Sequence, residues 1–268
     1  VDITASKKDI YREGQGTCYE VAVKGLAGGH SGVDIDKGIP SAITVLGRYL
    51  PENNVTQLVS LYAGERRNSI PANAVAIVYA ESKLEDAEMV EVRVLKETPK
   101  VLKEGSKTIA MIDAFKHGVH EKNEELGIPE TSINLAIINT DEKGGIIIEN
   151  SARAMGAEKL DALSNETLEF LKSYGFKVAL EDKYPAWKPD VTDFTELVCQ
   201  ETKGVFGRSK MMAIHAGLEC GVIAEKYPGI KFASIGPTIR YPHSTREMVN
   251  LESVERTYEV LKRVIRSV

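Results

Sequence analysis

The alternation of apolar and polar positions organises the first two thirds of the chain. Tyr19, Val21 and Val23 alternate with Glu20, Ala22 and Lys24, which predicts a half-buried strand over 18–26. A glycine-rich turn follows, Gly28-Gly29-His30-Ser31-Gly32. Ile43, Leu46 and Leu50 then recur at helical spacing, predicting a helix over 37–50 that Pro51 ends. Strand-like runs at 55–62 and 73–81 are joined through Arg67-Asn68-Ser69-Ile70-Pro71. The charged stretch 84–125 reads as mostly helical. Residues 132–139 and 144–149 read as a strand pair around the turn composition Asp141-Glu142-Lys143-Gly144-Gly145. Leu160, Leu163, Leu168 and Leu171 supply the apolar stripe of a helix over 156–174, with Gly175 where the chain leaves the helix. Phe176 to Leu180 reads as a short strand. This portion predicts an α+β layer, a sheet with helices on one face.

The tail has a different rhythm. Helix 191–203, strand 210–214, helix 216–226, strand 230–235 and helix 250–266 alternate as in a parallel sheet covered by helices. Asn250 is placed to cap the last helix, whose buried stripe is predicted to be Val254, Tyr258, Leu261 and Ile265. Three β/α elements do not close a doubly wound domain, so this section is expected to be part of an α/β domain.

Composition narrows the function. The 268 residues are 43% hydrophobic and 27% charged, with a net charge of −5, and no basic cluster long enough to track phosphates occurs. No run approaches the ~18 apolar residues of a membrane span. The start, Val1-Asp2-Ile3-Thr4, has neither an initiator Met nor a basic-then-apolar leader, so a truncated start is expected. Cys18, Cys199 and Cys220 are widely spaced, which argues against a disulfide framework and fits a reducing cytoplasm.

Candidate chemistry rests on the five histidines. His117 and His120 lie among lysines and glutamates and are expected on a solvated helix surface. His30 sits on a loop whose glycines permit close approach of another group; it is either a ligand-facing residue or a turn histidine capping the next helix. His243 lies in the loop Gly236 to Ser244 before the final helix, where open α/β sheets bind ligands, and neutral imidazole is a good zinc ligand. His215 opens a strand-to-helix turn, where a packed, hydrogen-bonded role is favoured. No His-x-Asp, no H-E-x-x-H, no nucleophile elbow and no phosphate loop occurs. Glu124-Glu125 reads as a solvated face.

Several motifs then agree in order. Gly25 to Gly32, Arg67-Asn68-Ser69-Ile70-Pro71, Glu130-Thr131-Ser132-Ile133-Asn134, Tyr184-Pro185-Ala186-Trp187-Lys188-Pro189, His215 to Gly221, Gly236-Pro237-Thr238-Ile239 and Pro242-His243-Ser244 resemble segments of the Xaa-His dipeptidase branch of the M20 metallopeptidases. The resemblance implies a lid domain over 13–181, with 1–12 and 182–268 forming the C-terminal part of a zinc-binding catalytic domain. It implies a cytoplasmic homodimer joined through the lid and acting on dipeptides. His30 would stabilise the oxyanion, Asn68, His215 and Glu219 would contact substrate, and His243 would bind one of two zinc ions. Asn150 falls where the family places an arginine for the substrate carboxylate, while Arg153 lies three residues further on. The family's other metal ligands precede the lid. This chain alone is therefore expected to hold no tight zinc and to be inactive. Two other readings stay open: a non-catalytic lid-dimerisation module or degenerate homologue, and an M20 amidohydrolase of another substrate class.

Overall fold

The computed structural model describes residues 1–181, 190–215, 219–227, 229–240 and 247–268. The chain divides into two compact units, Val1–Lys183 and Tyr184–Val268.

In the first unit the chain runs β1 (Asp2–Lys8), β2 (Tyr11–Arg12), β3 (Thr17–Val23), β4 (Gly29–His30), α1 (Ala42–Glu52), β5 (Gln57–Ala63), β6 (Ser69–Ile70) and β7 (Ala74–Ala80). It continues through β8 (Glu91–Val94), β9 (Val101–Leu102), α2 (Gly105–Ala114), β10 (Gly118–Asn123), β11 (Ile128–Thr140), β12 (Gly145–Ala154), α3 (Ala157–Ser173) and β13 (Lys177–Glu181). Nine strands make one sheet in the order β13-β1-β12-β11-β5-β7-β3-β8, with β10 also paired to β11. The ladders are antiparallel. The two small ribbons β2–β9 and β4–β6 stand apart from this sheet. Helices α1 and α2 pack together, α1 meets β3 and β7, and α3 meets β12 and β13. The core holds Ile3, Ile43, Leu46, Leu58, Leu61, Leu135 and Ile138, all at most 2% exposed. Their burial supplies the main favourable term, at about 25 cal/mol per Å² of apolar surface.

Several elements follow local chemistry. The β11–β12 hairpin turns on Asp141, whose carboxylate accepts from the amides of Lys143 (2.7 Å) and Gly145 (2.8 Å). Gly144 supplies the positive φ of 79° that this turn requires. Helix α3 buries Leu160, Leu163 and Leu171 and ends before Gly175, φ 84°.

Elsewhere tertiary context overrides the pattern. Pro51 lies inside α1 instead of ending it. The stretch 84–125 contains only ten helical residues, α2; strands β8, β9 and β10 occupy much of the rest. Val90, Val92 and Val94 alternate there, and Val92 pairs with Val21 at the sheet edge. Residues 1–12 do not stand apart from the 13–181 segment. Strand β1 is hydrogen-bonded between β12 and β13, from Asp2↔Ser151 and Asp2↔Glu181 onward, so the compact unit begins at Val1.

His117 departs furthest from the expected solvated helix. It sits between α2 and β10, and its Nδ1 accepts the Leu135 amide at 3.2 Å. Burial pushes its pKa down to about 4. His120 is half-buried on β10, against the Lys116 carbonyl at 2.8 Å.

In the second unit α4 (Asp193–Phe206), α5 (Glu219–Lys226) and α6 (Leu251–Ser267) are joined by a small ribbon, β14 (Ile239–Arg240) with β15 (Met248–Val249). Helix α4 opens on a reciprocal Thr192–Thr195 cap, and Asn250 caps α6 by accepting the Ser253 amide at 2.9 Å. Val198, Val260 and Val264 form its core with Phe194 and Phe206. The predicted stripe of α6 is not the buried one. Val254, Tyr258, Leu261 and Ile265 are 41–66% exposed, whereas Val260 and Val264 pack on α4. Segments 210–214 and 230–235 form no ladder among the described residues, because a parallel strand exists only where a neighbour satisfies its amides and carbonyls. Among the described residues no helix is long and apolar enough to cross a membrane.

The His117 geometry predicts a pH dependence. The folded ring stays neutral to about pH 4, whereas an unperturbed histidine protonates near 6.5. The unfolded chain therefore binds the extra proton first. This contribution to stability is complete above about pH 6.5 and is lost as pH falls toward 4. Between pH 7 and 4.5 urea-unfolding free energy should fall by about 2–3 kcal/mol more in the native chain than in His117→Gln. Equal losses in the two would show that the ring titrates freely.

Candidate functional site

The glycine-rich loop is held by its own backbone. Gly28 takes φ 60°, and a Cβ at Gly29 would stand 3.0 Å from both Asp34 Cβ and Ile39 Cδ1, so only glycine lets the loop close this tightly. The His30 amide donates to Asp34 Oδ2 at 2.7 Å, and the Asp34 amide donates back to the His30 carbonyl at 2.9 Å. Burial pushes Asp34 up. Hydrogen bonds from Lys37, at 2.6 Å, and from the His30 amide outweigh that and hold its carboxyl below the usual range. The His30 ring is fixed as well: its Nδ1 accepts the amides of Gly32 (3.0 Å) and Val33 (3.1 Å). The proton of the neutral ring is therefore on Nε2.

The second loop locks onto the first. Strand β6 pairs with β4, His30↔Ser69, and the Ser31 amide donates to the Asn68 carbonyl at 2.9 Å. Asn134 on β11, 1% exposed, donates to the Ser69 carbonyl at 2.8 Å and reaches the Arg67 carbonyl at 3.4 Å. Arg67 itself binds Glu149 at 2.7 Å and Asp2 at 3.1 Å, with Glu181 at 3.6 Å. The hydrogen bond to Glu149 is the largest influence, and it holds the guanidinium proton more tightly than usual. Three carboxylates from β12, β1 and β13 thus meet one cation that carries the His30 loop.

Arg153 is the counterpart. Glu149, Ser151 and Arg153 alternate along one side of β12, while Ile146, Ile148, Asn150 and Ala152 occupy the other and are at most 1% exposed. Arg153 makes one long contact, 3.5 Å, to the hydroxyl of Ser31, next to His30. Its buried Nε has no partner, and no carboxylate lies within ion-pair distance of it among the described residues. Burial pushes its pKa down, with Asp2 opposing. An arginine nevertheless stays charged, and a buried unpaired cation is costly.

The structure therefore brings His30 and Asn68 together, with Ser31, Asn134 and Arg153 around them. The side chain of Asn68 is half-buried and makes no hydrogen bond among the described residues. Asn150 is not part of the group: it is fully buried, donates to the Ile3 carbonyl at 3.4 Å, and has an unpartnered Oδ1. Its position on the covered side of β12 removes it from any ligand. His215 belongs to the second unit and is 6% exposed. Glu219 begins α5. His243 lies outside the described residues. Among the described residues no three His, Cys, Asp or Glu side chains converge as a metal site. Sequence reading placed Asn134 in a motif resembling the family but gave it no role as a brace, which the Ser69 carbonyl contact shows.

No family model matches the chain. The chain is 27% identical over 286 aligned residues to the cytosol non-specific dipeptidase of Escherichia coli strain K12, spanning 93% of its own length and 58% of that protein. Among solved structures, the aminoacylhistidine dipeptidase of Vibrio alginolyticus superposes with a TM-score of 0.78 at 26% identity over 98% of this chain. The chain is a homologue of these dipeptidases. Its mixed architecture, a helix-covered sheet followed by a smaller α/β section, matches the dipeptidase fold, and it spans 61% of the length of that solved chain.

The Arg67 clamp carries a prediction. Arg67→Gln leaves three carboxylates facing one another. It should lower the stability of the first unit by roughly 1–3 kcal/mol, below the value for a fully buried pair because the side chain is partly solvated. Hydrogen exchange at the Ser31 amide should accelerate along with it. Unchanged exchange there would show that Arg67 does not hold the loop.

Proposed function

We propose that the first unit is the lid of a metal-dependent dipeptidase and that 184–268 belongs to its catalytic domain. The observation that carries this reading is the join of a tautomer-fixed His30 to an unpaired Arg153 on one polar shelf, in a homologue of dipeptidases. A dipeptide has one free carboxylate and one scissile carbonyl. Arg153 would bind the carboxylate in place of Asn150, and His30 Nε2–H would donate to the carbonyl oxygen as negative charge develops on it. Asn68 would hydrogen-bond the peptide from the side.

In this reading His243 would be one ligand of a zinc ion, which would supply the activated water. His215 and Glu219 would contact substrate. The exposed stripe Val254, Tyr258, Leu261 and Ile265 on α6 supports a further layer of the catalytic domain packing there. A homodimer joined through the lid, broad or Xaa-His dipeptide specificity, and a cytosolic location like that in the relative's name complete the proposal.

The test uses the dipeptide-hydrolysing polypeptide that carries this chain. His30→Ala should lower kcat roughly 10²–10³-fold with little change in KM. Arg153→Ala should raise KM for free dipeptides and spare those with an amidated C-terminus. An unchanged kcat removes His30 from the chemistry, equal KM changes remove Arg153, and failure to cleave any dipeptide refutes the reading.

A further inference from the structure

A second concave site lies on the first unit, around the start of α1. Its cavity measures about 520 Å³, within the roughly 300–1,000 Å³ usual for small-ligand sites. Ser41, the residue before the helix, lines it. This residue is 3% exposed, yet its hydroxyl neither caps α1 nor finds any other partner among the described residues. Serine at this position ordinarily accepts a first-turn amide. Here the Ala42 amide is taken by the Pro71 carbonyl at 2.9 Å, while the next two amides of the turn have no acceptor within the helix. The first turn carries no acidic residue either. A helix start with unfilled amides and a buried, idle hydroxyl is a place for an anion, and a carboxylate is the smallest organic one.

The rest of the wall defines the body of the ligand. His117 lines the cavity too. Its Nδ1 is occupied by the Leu135 amide, so Nε2 carries the proton and offers one more donor. Val45 and Val90 give an apolar side. Glu52, at the far end of the same helix, and Glu88 also line the cavity, as does Arg48 one turn before Glu52. Both glutamates are exposed. The eleven residues of α1 separate Ser41 from Glu52 by about 16 Å at 1.5 Å per residue. An extended chain covers that distance in four or five residues at about 3.3–3.6 Å each.

We propose that this cavity binds a short apolar peptide with free ends, its C-terminal carboxylate at Ser41 and the first turn of α1 and its ammonium at Glu52 and Glu88. The proposal does not rest on the reading of the His30 shelf.

The experiment is calorimetric titration of the 268-residue chain carrying Arg153→Ala, so that the shelf cannot supply the carboxylate partner. The probe is the tetrapeptide Leu-Ala-Val-Leu with free ends, compared with its C-terminal amide and with octanoate. The expected result is saturable one-to-one binding, weakened at least tenfold by amidation. Ser41→Asp should weaken it by a similar factor while keeping the helix, since aspartate is itself a good cap whose charge repels the ligand. Glu52→Lys should weaken it about threefold. Octanoate binding as tightly as the peptide would overturn the peptide assignment. No saturable binding, equal affinity for the amide, or full affinity in Ser41→Asp would overturn the site.

Discussion

One guanidinium holds the His30 shelf together. Arg67 faces Glu149 from β12, Asp2 from β1 and Glu181 from β13, and these three strands are neighbours in the sheet. The carboxylates repel one another without it. With it, the loop that carries Arg67 is tied to the sheet, and β6 on that loop positions β4 and His30. Asn134 adds a neutral brace beneath the same loop. The placement of a candidate catalytic histidine thus depends on β1 and on β12 and β13, the last two more than a hundred residues away in sequence.

The contrast with Arg153 shows that geometry, and not residue type, decides whether a charge is met within the protein. Both arginines belong to the polar side of the sheet. Arg67 has its charge met by carboxylates and serves the fold. Among the described residues Arg153 has only the Ser31 hydroxyl at 3.5 Å and a desolvated, unpartnered Nε, an arrangement that a bound anion would relieve. The idle Ser41 hydroxyl poses the same question on a smaller scale at the start of α1. In each case a buried polar group is left unmatched by the protein's own atoms, and such groups are rare enough in folded chains to call for an account.

Much was legible from residues alone where the determinants are local. The hairpin at Asp141 to Gly145, helix α3 with Gly175 after it, the Asn250 cap and the Gly28–Gly32 turn are encoded within a few residues, and the structure forms each of them. The seven ordered motifs pointed to dipeptidases, and the likeness in sequence and structure supports that. The 84–125 stretch misled because its charges mask the Val90, Val92, Val94 alternation, and a strand at a sheet edge is specified by the partner it joins.

The sequence by itself determined which segments are helical or extended wherever caps, turns and periodicity are local, and it marked His30 as the histidine with a special backbone. Only the tertiary structure decided which side chains face the shelf. Pleating puts Asn150 and Arg153 on opposite sides of β12, so a three-residue offset moves one into the core and the other beside Ser31. It likewise made His117 a neutral buried ring and turned Val260 and Val264, in place of the predicted stripe, toward α4. Which face of an element is covered depends on what packs against it, and that information lies in distant parts of the chain.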